Sequence, residues 1–480
     1  MCGIVGVQVP GGEAAGLAAL GLFALQHRGQ ESAGVAVSDG EGVMVYKDLG
    51  MVAQVLDDRR LPSLRGHLAI AHCRYSTTGS TLWENSQPAF RLGPRRTVAV
   101  GHNGNLVNTR ELLERLPGGR SRLHGSTDTE LLTALLSEEP GDDLVEALRH
   151  LLPSVSGAYS LVVMDEHRVI GVRDPYGFRP LVLGRLPAGT IEGPAGPTES
   201  NGGWCLSSET AGLDALGADF VRDVEPGEMV VLGEPGGPRS VRFAESRESL
   251  CVFELIYFAR PDSYMLGRNL YEVRRRMGAA LAREAPADAD FVMPVPDTGA
   301  PAAVGYAEAS GLPYREGMVK NRYAGRTFIQ PSRALRQRGV TVKLSPLREQ
   351  VRGKRLLVVD DSIVRGTTTR QIVAILRRAG AAQVHLRISA PPIFHPCFYG
   401  IDTQIETELI AAHRSVDEIR DFLGADSLSY LSIGGVLDAI DLPRDRLCFA
   451  CFDGHYRVPV PYDATSHKFV LEDVPLVETR

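Results

Sequence analysis

The sequence contains no uninterrupted apolar run of about 18 residues or more, so no segment reads as a membrane-spanning helix. Its opening residues, Met1-Cys2-Gly3-Ile4-Val5-Gly6-Val7, lack the basic region and long apolar stretch of a signal peptide. The expectation is a cytoplasmic protein with no membrane partner. No run of Lys or Arg is long enough to track a nucleic-acid backbone, and 52 Lys+Arg against 58 Asp+Glu leave a formal charge of only -6. Nucleic acid is therefore not an expected partner. Cysteine is scarce and odd in number, seven in 480 residues. That speaks against a disulfide framework and leaves catalysis, metal binding or core packing as its uses.

What is present is globular. Hydrophobic residues make up 44% and charged residues 23%, and the chain is longer than a single core usually supports. Two domains are expected, 1–245 and 246–480. In the first, short apolar runs broken by Gly and Pro alternate with helical stretches, among them 109–116 and 128–136, the latter with Ser126 and Thr127 as caps. Residues 187–203 turn to Gly, Pro, Thr, Ser and Asn, a composition that cannot pack a core, and read as an exposed loop. A second punctuated stretch, 233–249, precedes the change of character. Beyond it, 355–359 reads as a buried strand, 360–366 as a turn, 367–379 as a helix and 383–388 as another strand. That is a parallel βαβ pattern.

Cys2 becomes the first residue once the initiator methionine is removed, with no propeptide to cleave. Its own α-amine, with an ordinary pKa of about 7.7–8.0, is then a base for its thiol. Downstream, in order, come Gln26-His27-Arg28-Gly29-Gln30-Glu31-Ser32-Ala33-Gly34, Arg74-Tyr75-Ser76-Thr77-Thr78-Gly79, His102-Asn103-Gly104-Asn105 and Ser126-Thr127-Asp128-Thr129-Glu130. Together with Cys2 these resemble the N-terminal-nucleophile (Ntn) glutaminase domain of glutamine amidotransferases, an αββα fold, over roughly the first 240 residues. The resemblance implies that Arg74 holds the glutamine α-carboxylate, with Thr77 in the same subsite and Asp128 on the α-ammonium. Asn103 and the Gly104 N–H would form the oxyanion hole. An arginine fork suits a carboxylate, and two adjacent amides suit a developing oxyanion. Cys73 and Cys205 match no catalytic motif and read as buried thiols.

In the second half, Val358-Val359-Asp360-Asp361-Ser362-Ile363-Val364-Arg365-Gly366-Thr367-Thr368-Thr369 joins an apolar strand, two carboxylates and a Gly-Thr-rich turn into a helix. Backbone N–H groups and hydroxyls at a helix N-terminus receive phosphate, and the acids suit ribose hydroxyls or hydrated Mg²⁺. The stretch resembles the donor motif of type I phosphoribosyltransferases, an α/β fold with a parallel sheet. The resemblance implies phosphoribosyl pyrophosphate at Asp360, Asp361, Ser362, Arg365, Gly366, Thr367 and Thr368, with Mg²⁺ at Thr298, Asp360 and Asp361. Pro294-Val295-Pro296-Asp297-Thr298-Gly299 is a second strand-end turn where pyrophosphate meets backbone amides. A basic stretch carrying Lys320, Tyr323, Arg326 and Lys343 would be a loop closing over the donor and excluding water.

Four cysteines remain: Cys251, Cys397 and the pair Cys448-Phe449-Ala450-Cys451. Four thiolates suit an iron-sulfur cluster or zinc, and the spacing alone does not choose between them. Cys251-Val252-Phe253-Glu254 with Arg260-Pro261-Asp262-Ser263, Pro396-Cys397-Phe398-Tyr399-Gly400-Ile401-Asp402, and the final pair with Phe452-Asp453-Gly454, however, look like the cluster-bearing class of amidophosphoribosyltransferases. That resemblance spans nearly the whole chain. It implies a 4Fe-4S cluster on Cys251, Cys397, Cys448 and Cys451, a homotetramer, and purine nucleotides as feedback inhibitors. Other enzymes with the same glutaminase half would carry sugar-isomerase or ATP-pyrophosphatase motifs, which 360–369 does not fit. A non-catalytic sensor would have lost Cys2 or the oxyanion residues.

Overall fold

The computed structural model describes residues 1–191, 198–321, 343–460 and 469–472. Period-two alternation sorts the strands of the first half onto two faces. Along Leu68–Arg74, Leu68 and Ile70 enter one apolar layer while Ala69, Ala71 and Cys73 enter another. Along Gly3–Gln8, Ile4 goes one way and Val5 and Val7 the other. Two antiparallel sheets result. One runs Asp219–Asp223, Val182–Ile191, Thr198–Ser207, Gly3–Gln8, Leu68–Arg74, Ser32–Ser38, Val43–Leu49. The other runs Arg239–Arg242, Glu228–Leu232, Val169–Arg173, Gly157–Met164, Thr97–Leu106, Ala89–Leu92. Ile4, Ile70, Val162 and Leu206 fill the layer between them. The helix Ala14–Ala24 covers the outer face of the first sheet, and Asp128–Glu138 with Leu144–Leu151 covers that of the second. This is the αββα sandwich expected of an Ntn domain.

Residues 187–203 are not a loop throughout. Val182–Ile191 and Thr198–Ser207 pair as a long antiparallel hairpin, from Val182 opposite Ser207 to Ile191 opposite Thr198, and only 192–197 fall outside the described residues. Composition misled here because a ladder of main-chain hydrogen bonds needs no apolar side chains. For the same reason the stretch 233–249 contains a short edge strand, Arg239–Arg242.

The second half is built on four parallel strands in the order Phe291–Pro294, Arg355–Asp360, Gln383–Ile388, Ser427–Tyr430. The first two are almost wholly apolar and buried on both faces, as helix-covered parallel strands must be, and the third buries Val384, Leu386 and Ile388. The helix Thr367–Arg378 packs through Ile372, Val373, Ile375 and Leu376, one residue short of its expected end.

The two halves meet across a buried ionic seam. Arg28 Nε lies 2.5 Å from Glu209 Oε1, Arg28 Nη2 is 2.8 Å from Glu254 Oε2, and Arg179 Nη1 is 3.4 Å from Glu254 Oε1. All four side chains are fully buried. The Ser263 hydroxyl and the Arg260 N–H donate to Glu209 Oε2 at 2.7 and 2.8 Å. Removing one partner from such a network leaves an uncompensated buried charge, a loss of about 3–5 kcal/mol.

Candidate active site

Cys2 stands at the head of the central strand Gly3–Gln8, where the sandwich meets the second half. Its N–H donates to Asn103 Oδ1 at 3.1 Å, and its thiol lies 3.5 Å from the Tyr75 carbonyl. Burial pushes the thiol up, and the chain-terminal amine and Arg74 act against that. Asn103 and Gly104 sit inside the strand Thr97–Leu106, not in a turn, despite the Asn-Gly sequence. Gly104 admits no other residue, because a Cβ there would come within 1.9 Å of the Ala158 carbonyl oxygen. Asn103 Nδ2 is buried and without a hydrogen-bond partner. A buried amide donor with nothing to donate to suits an oxyanion. Met1 is itself buried beside Arg179, and burial lowers its amine to about 6.

Arg74 closes its strand and is 2% exposed, which aims its guanidinium inward. Its fork donates to the carbonyls of Thr78, Gly79 and Ser80 at 2.8, 3.2 and 3.1 Å, so the following loop wraps its head. Glu31 fastens the loop from outside, accepting from Ser76 N–H, Ser76 Oγ and Thr81 Oγ1, each at 3.1 Å. Thr77 Oγ1 donates to the Gly104 carbonyl at 3.2 Å, tying the loop to the oxyanion strand. Asp128 is the first residue of Asp128–Glu138, capped by Thr127, whose side chain accepts from Glu130 N–H. Burial alone would raise its carboxyl. His102 and the N–H groups of Leu106 and Thr129 more than offset that and hold it below the usual carboxylate range. Cys73 and Cys205 are fully buried in the same sheet, and burial pushes each thiol up to about 12.

In the second half, Asp360 ends its strand and Asp361 begins the turn. Asp361 N–H donates to Asp360 Oδ1 at 3.0 Å, Ser362 Oγ donates to Asp361 Oδ1 at 2.7 Å, and Thr298 Oγ1 donates to Asp361 Oδ2. Burial, then the neighbouring Asp361, pushes the Asp360 carboxyl well above its ordinary value. Gly366 takes φ +71° to start the helix, where Thr367 and Thr368 are exposed. Lys320 Nζ lies 2.6 Å from Asp297 Oδ2. Lys343 sits across from it, its carbonyl accepting from Asn321 N–H at 2.7 Å beside the paired strands Met318–Lys320 and Leu344–Pro346. Arg365 turns outward to Glu408 at 2.9 Å and is not drawn to the acid pair. Tyr323 and Arg326 lie outside the described residues.

Cys251 and Cys448 face each other in register across the parallel pair Leu250–Cys251 and Leu447–Cys448. Among the described residues no three His, Cys, Asp or Glu side chains close around one point as an ion site. The four thiols nonetheless share one buried neighbourhood. Burial, followed by Cys397, Cys251 and Cys448, pushes the Cys451 thiol well up. Cys251 and Cys448 are likewise raised by burial and by neighbouring cysteines, Cys397 among them, and a set of thiols this close suits a cationic centre taking them as thiolates.

The loop after Cys397 reaches the glutaminase strand directly. Asn105 Nδ2 donates to the Phe398 carbonyl at 3.0 Å, Arg179 Nε to the Tyr399 carbonyl at 2.9 Å, and Gln404 Nε2 to the Thr77 carbonyl at 3.1 Å. Gly400, at φ +103°, lies so close that a Cβ would meet the Gly104 carbonyl carbon and oxygen at 3.0 Å.

Residues 72–191 match the glutamine amidotransferase domain model, and residues 265–392 match the phosphoribosyl transferase domain model. The chain is 50% identical over 483 residues to an amidophosphoribosyltransferase of Mycobacterium leprae, covering 98% of this chain and 84% of that one. The chain belongs to the amidophosphoribosyltransferase family. A solved family structure, the Bacillus subtilis glutamine phosphoribosylpyrophosphate amidotransferase complexed with ADP and GMP, is 44% identical. It matches with a TM-score of 0.86 over 96% of this chain and 98% of that one. Another, described as the allosteric regulatory enzyme of purine biosynthesis, is also 44% identical and matches at 0.88 over 98% and 99%.

Sequence reasoning did not single out Glu209, Glu254, Arg179, Gly400 or Gln404. Each is a lone residue whose partner is far along the chain. The available signals were that Glu254 follows Cys251 within four residues and that Gly400 lies in the stretch 396–402, though neither was given a role.

Proposed function

We propose that this chain makes 5-phosphoribosylamine, glutamate and pyrophosphate from glutamine, water and phosphoribosyl pyrophosphate, the first step of purine synthesis. The observation that carries the reading is the pairing of Cys2 with Asn103, one amide atom holding the Cys2 nitrogen and the other, buried and unpartnered, left for an oxyanion. With Met1 removed, the Cys2 amine takes the thiol proton and the thiolate attacks the glutamine amide carbon. The oxygen turns anionic beside Asn103 Nδ2 and the Gly104 N–H. Collapse expels ammonia, which leaves with that proton, and water then cleaves the glutamyl thioester. Arg74 and Thr77 hold the carboxylate end of the substrate and Asp128 its ammonium.

Ammonia then displaces pyrophosphate at C1 of the ribose, a step that rests on positioning and electrostatics. Asp360 and Asp361 bind the ribose hydroxyls, and Ser362, Arg365, Gly366, Thr367 and Thr368 receive the 5′-phosphate. Lys320, Tyr323, Arg326 and Lys343 close on the pyrophosphate. Thr298, Asp360 and Asp361 suit Mg²⁺, which when bound neutralises donor charge. Cys251, Cys397, Cys448 and Cys451 would hold a 4Fe-4S cluster as its thiolate ligands, and its binding would add stability to the second half. The relative solved with ADP and GMP supports purine nucleotides as feedback ligands. Family membership supports a homotetramer. Family membership supports a cytoplasmic setting, and no helix among the described residues is long and apolar enough to cross a membrane.

Cys2→Ala tests the division of labour. Glutamine-dependent pyrophosphate release should vanish while release with high ammonium persists. Loss of both in a protein that still binds the donor would refute it.

A further inference from the structure

The segment Phe469 to Glu472, more than 200 residues past the sandwich, lies back on the glutaminase half. Leu471 is fully buried in the apolar layer that also holds Leu112, Leu131 and Leu135, and its carbonyl accepts from Arg120 Nε at 2.9 Å. That anchor sets Glu472 over the loop that wraps Arg74. Glu472 Oε1 accepts from Ser80 N–H at 2.8 Å, Ser80 Oγ at 2.7 Å and Ser126 Oγ at 2.7 Å. Ser80 belongs to the Arg74 loop, and its carbonyl holds the Arg74 fork. Ser126 lies two residues before Asp128. One carboxylate oxygen thus spans the two segments that carry the proposed carboxylate and ammonium partners of glutamine.

Asn85 braces the same junction, donating to the Ser80 carbonyl at 2.8 Å and to Ser126 Oγ at 2.9 Å. Asn85 is buried, whereas Glu472 arrives from outside on a separate piece of chain. The Glu472 charge also reaches Arg74.

We propose that Glu472 is a positioning residue for glutamine: the C-terminal segment straps the Arg74 loop to the start of the Asp128 helix and so sets the spacing of the two head-group partners. The inference rests on the glutaminase reading above. The strap touches neither the thiol nor the oxyanion donor, so it acts on substrate affinity and not on the chemical step.

The test is steady-state kinetics on the full-length protein with glutamine varied at saturating donor, comparing wild type, Glu472→Ala, Ser80→Ala and the double variant. The KM for glutamine should rise about tenfold in Glu472→Ala, the scale of one lost charge-assisted clamp, with kcat within about twofold of wild type. Ser80→Ala, on the other side of the contact, should raise KM in the same sense, and the double variant should be no worse than the poorer single one. Glu472→Gln, which keeps an acceptor oxygen, should recover part of the affinity. An unchanged KM in Glu472→Ala, a fall in kcat alone, or additive effects in the double variant would overturn the proposal. Wild-type turnover of glutamine in the same assay tests the underlying reading separately.

Discussion

Gly400→Ala isolates the contact between the two halves at its closest point. The added methyl would sit 3.0 Å from the carbonyl carbon and oxygen of Gly104 and 3.1 Å from its Cα, all backbone atoms that cannot swing aside. Alanine at φ +103° is also strained, by about 1–3 kcal/mol. Relief requires the 398–404 loop and the Asn103-Gly104 strand to part by a few tenths of an ångström. The oxyanion donors move with that strand. Loss of one such donor lowers kcat by about 10²–10³-fold, so partial displacement should lower glutamine-dependent kcat by about 10-fold to 10²-fold. Pyrophosphate release driven by ammonium should stay within about threefold, because the acid pair lies on another sheet. The assay is pyrophosphate release with glutamine or ammonium as nitrogen source. Unchanged glutamine turnover, or parallel loss of both activities, would refute the idea that this loop positions the oxyanion strand.

Anaerobically purified protein should be brown and carry about four iron and four sulfide per chain, as four cysteine ligands imply; stoichiometric zinc without iron would contradict the cluster proposal. Asp361→Asn should weaken Mg²⁺-dependent donor binding, measured by calorimetry, because Asp361 holds both Thr298 and Ser362; an unchanged affinity would move the donor site elsewhere. Glu209 gives a pH test. Burial would raise its carboxyl, but Arg28 and His27 offset that and hold it well below the usual range. A depressed folded pKa gives stabilisation that is present above the unfolded value of about 4.3 and is lost as pH falls below it. Glu209→Gln should therefore cost about 3–5 kcal/mol near pH 7, and the gap to wild type should narrow below about pH 4 in denaturant titrations. A gap constant with pH would show that the seam is not ionic.

The donor motif was legible because strand, turn and helix are contiguous there: four apolar residues, two acids and three threonines fix the parallel strand, its end and the helix start. Cys2, Arg74, Asn103 and Asp128 were legible as an ordered set, and the sandwich brings Cys2 and Asn103 into contact. The hairpin through 182–207 was hidden because main-chain pairing leaves no hydrophobic signature. The seam was hidden for another reason. Arg28 and Glu209 are 181 residues apart and Ser80 and Glu472 are 392 apart, and a contact between two polar residues that distant imposes no periodicity on either. The contact of Arg365 with Glu408 was hidden in the same way, since no local pattern announces that partner.

The most direct measurement is the stoichiometry of the wild-type reaction after confirmed removal of Met1. Purified protein with Mg²⁺, glutamine and phosphoribosyl pyrophosphate should release glutamate and pyrophosphate in equal amounts, with glutamate release rising when the donor is added. Glutamate formation that proceeds without any pyrophosphate release, at saturating donor, would contradict the account.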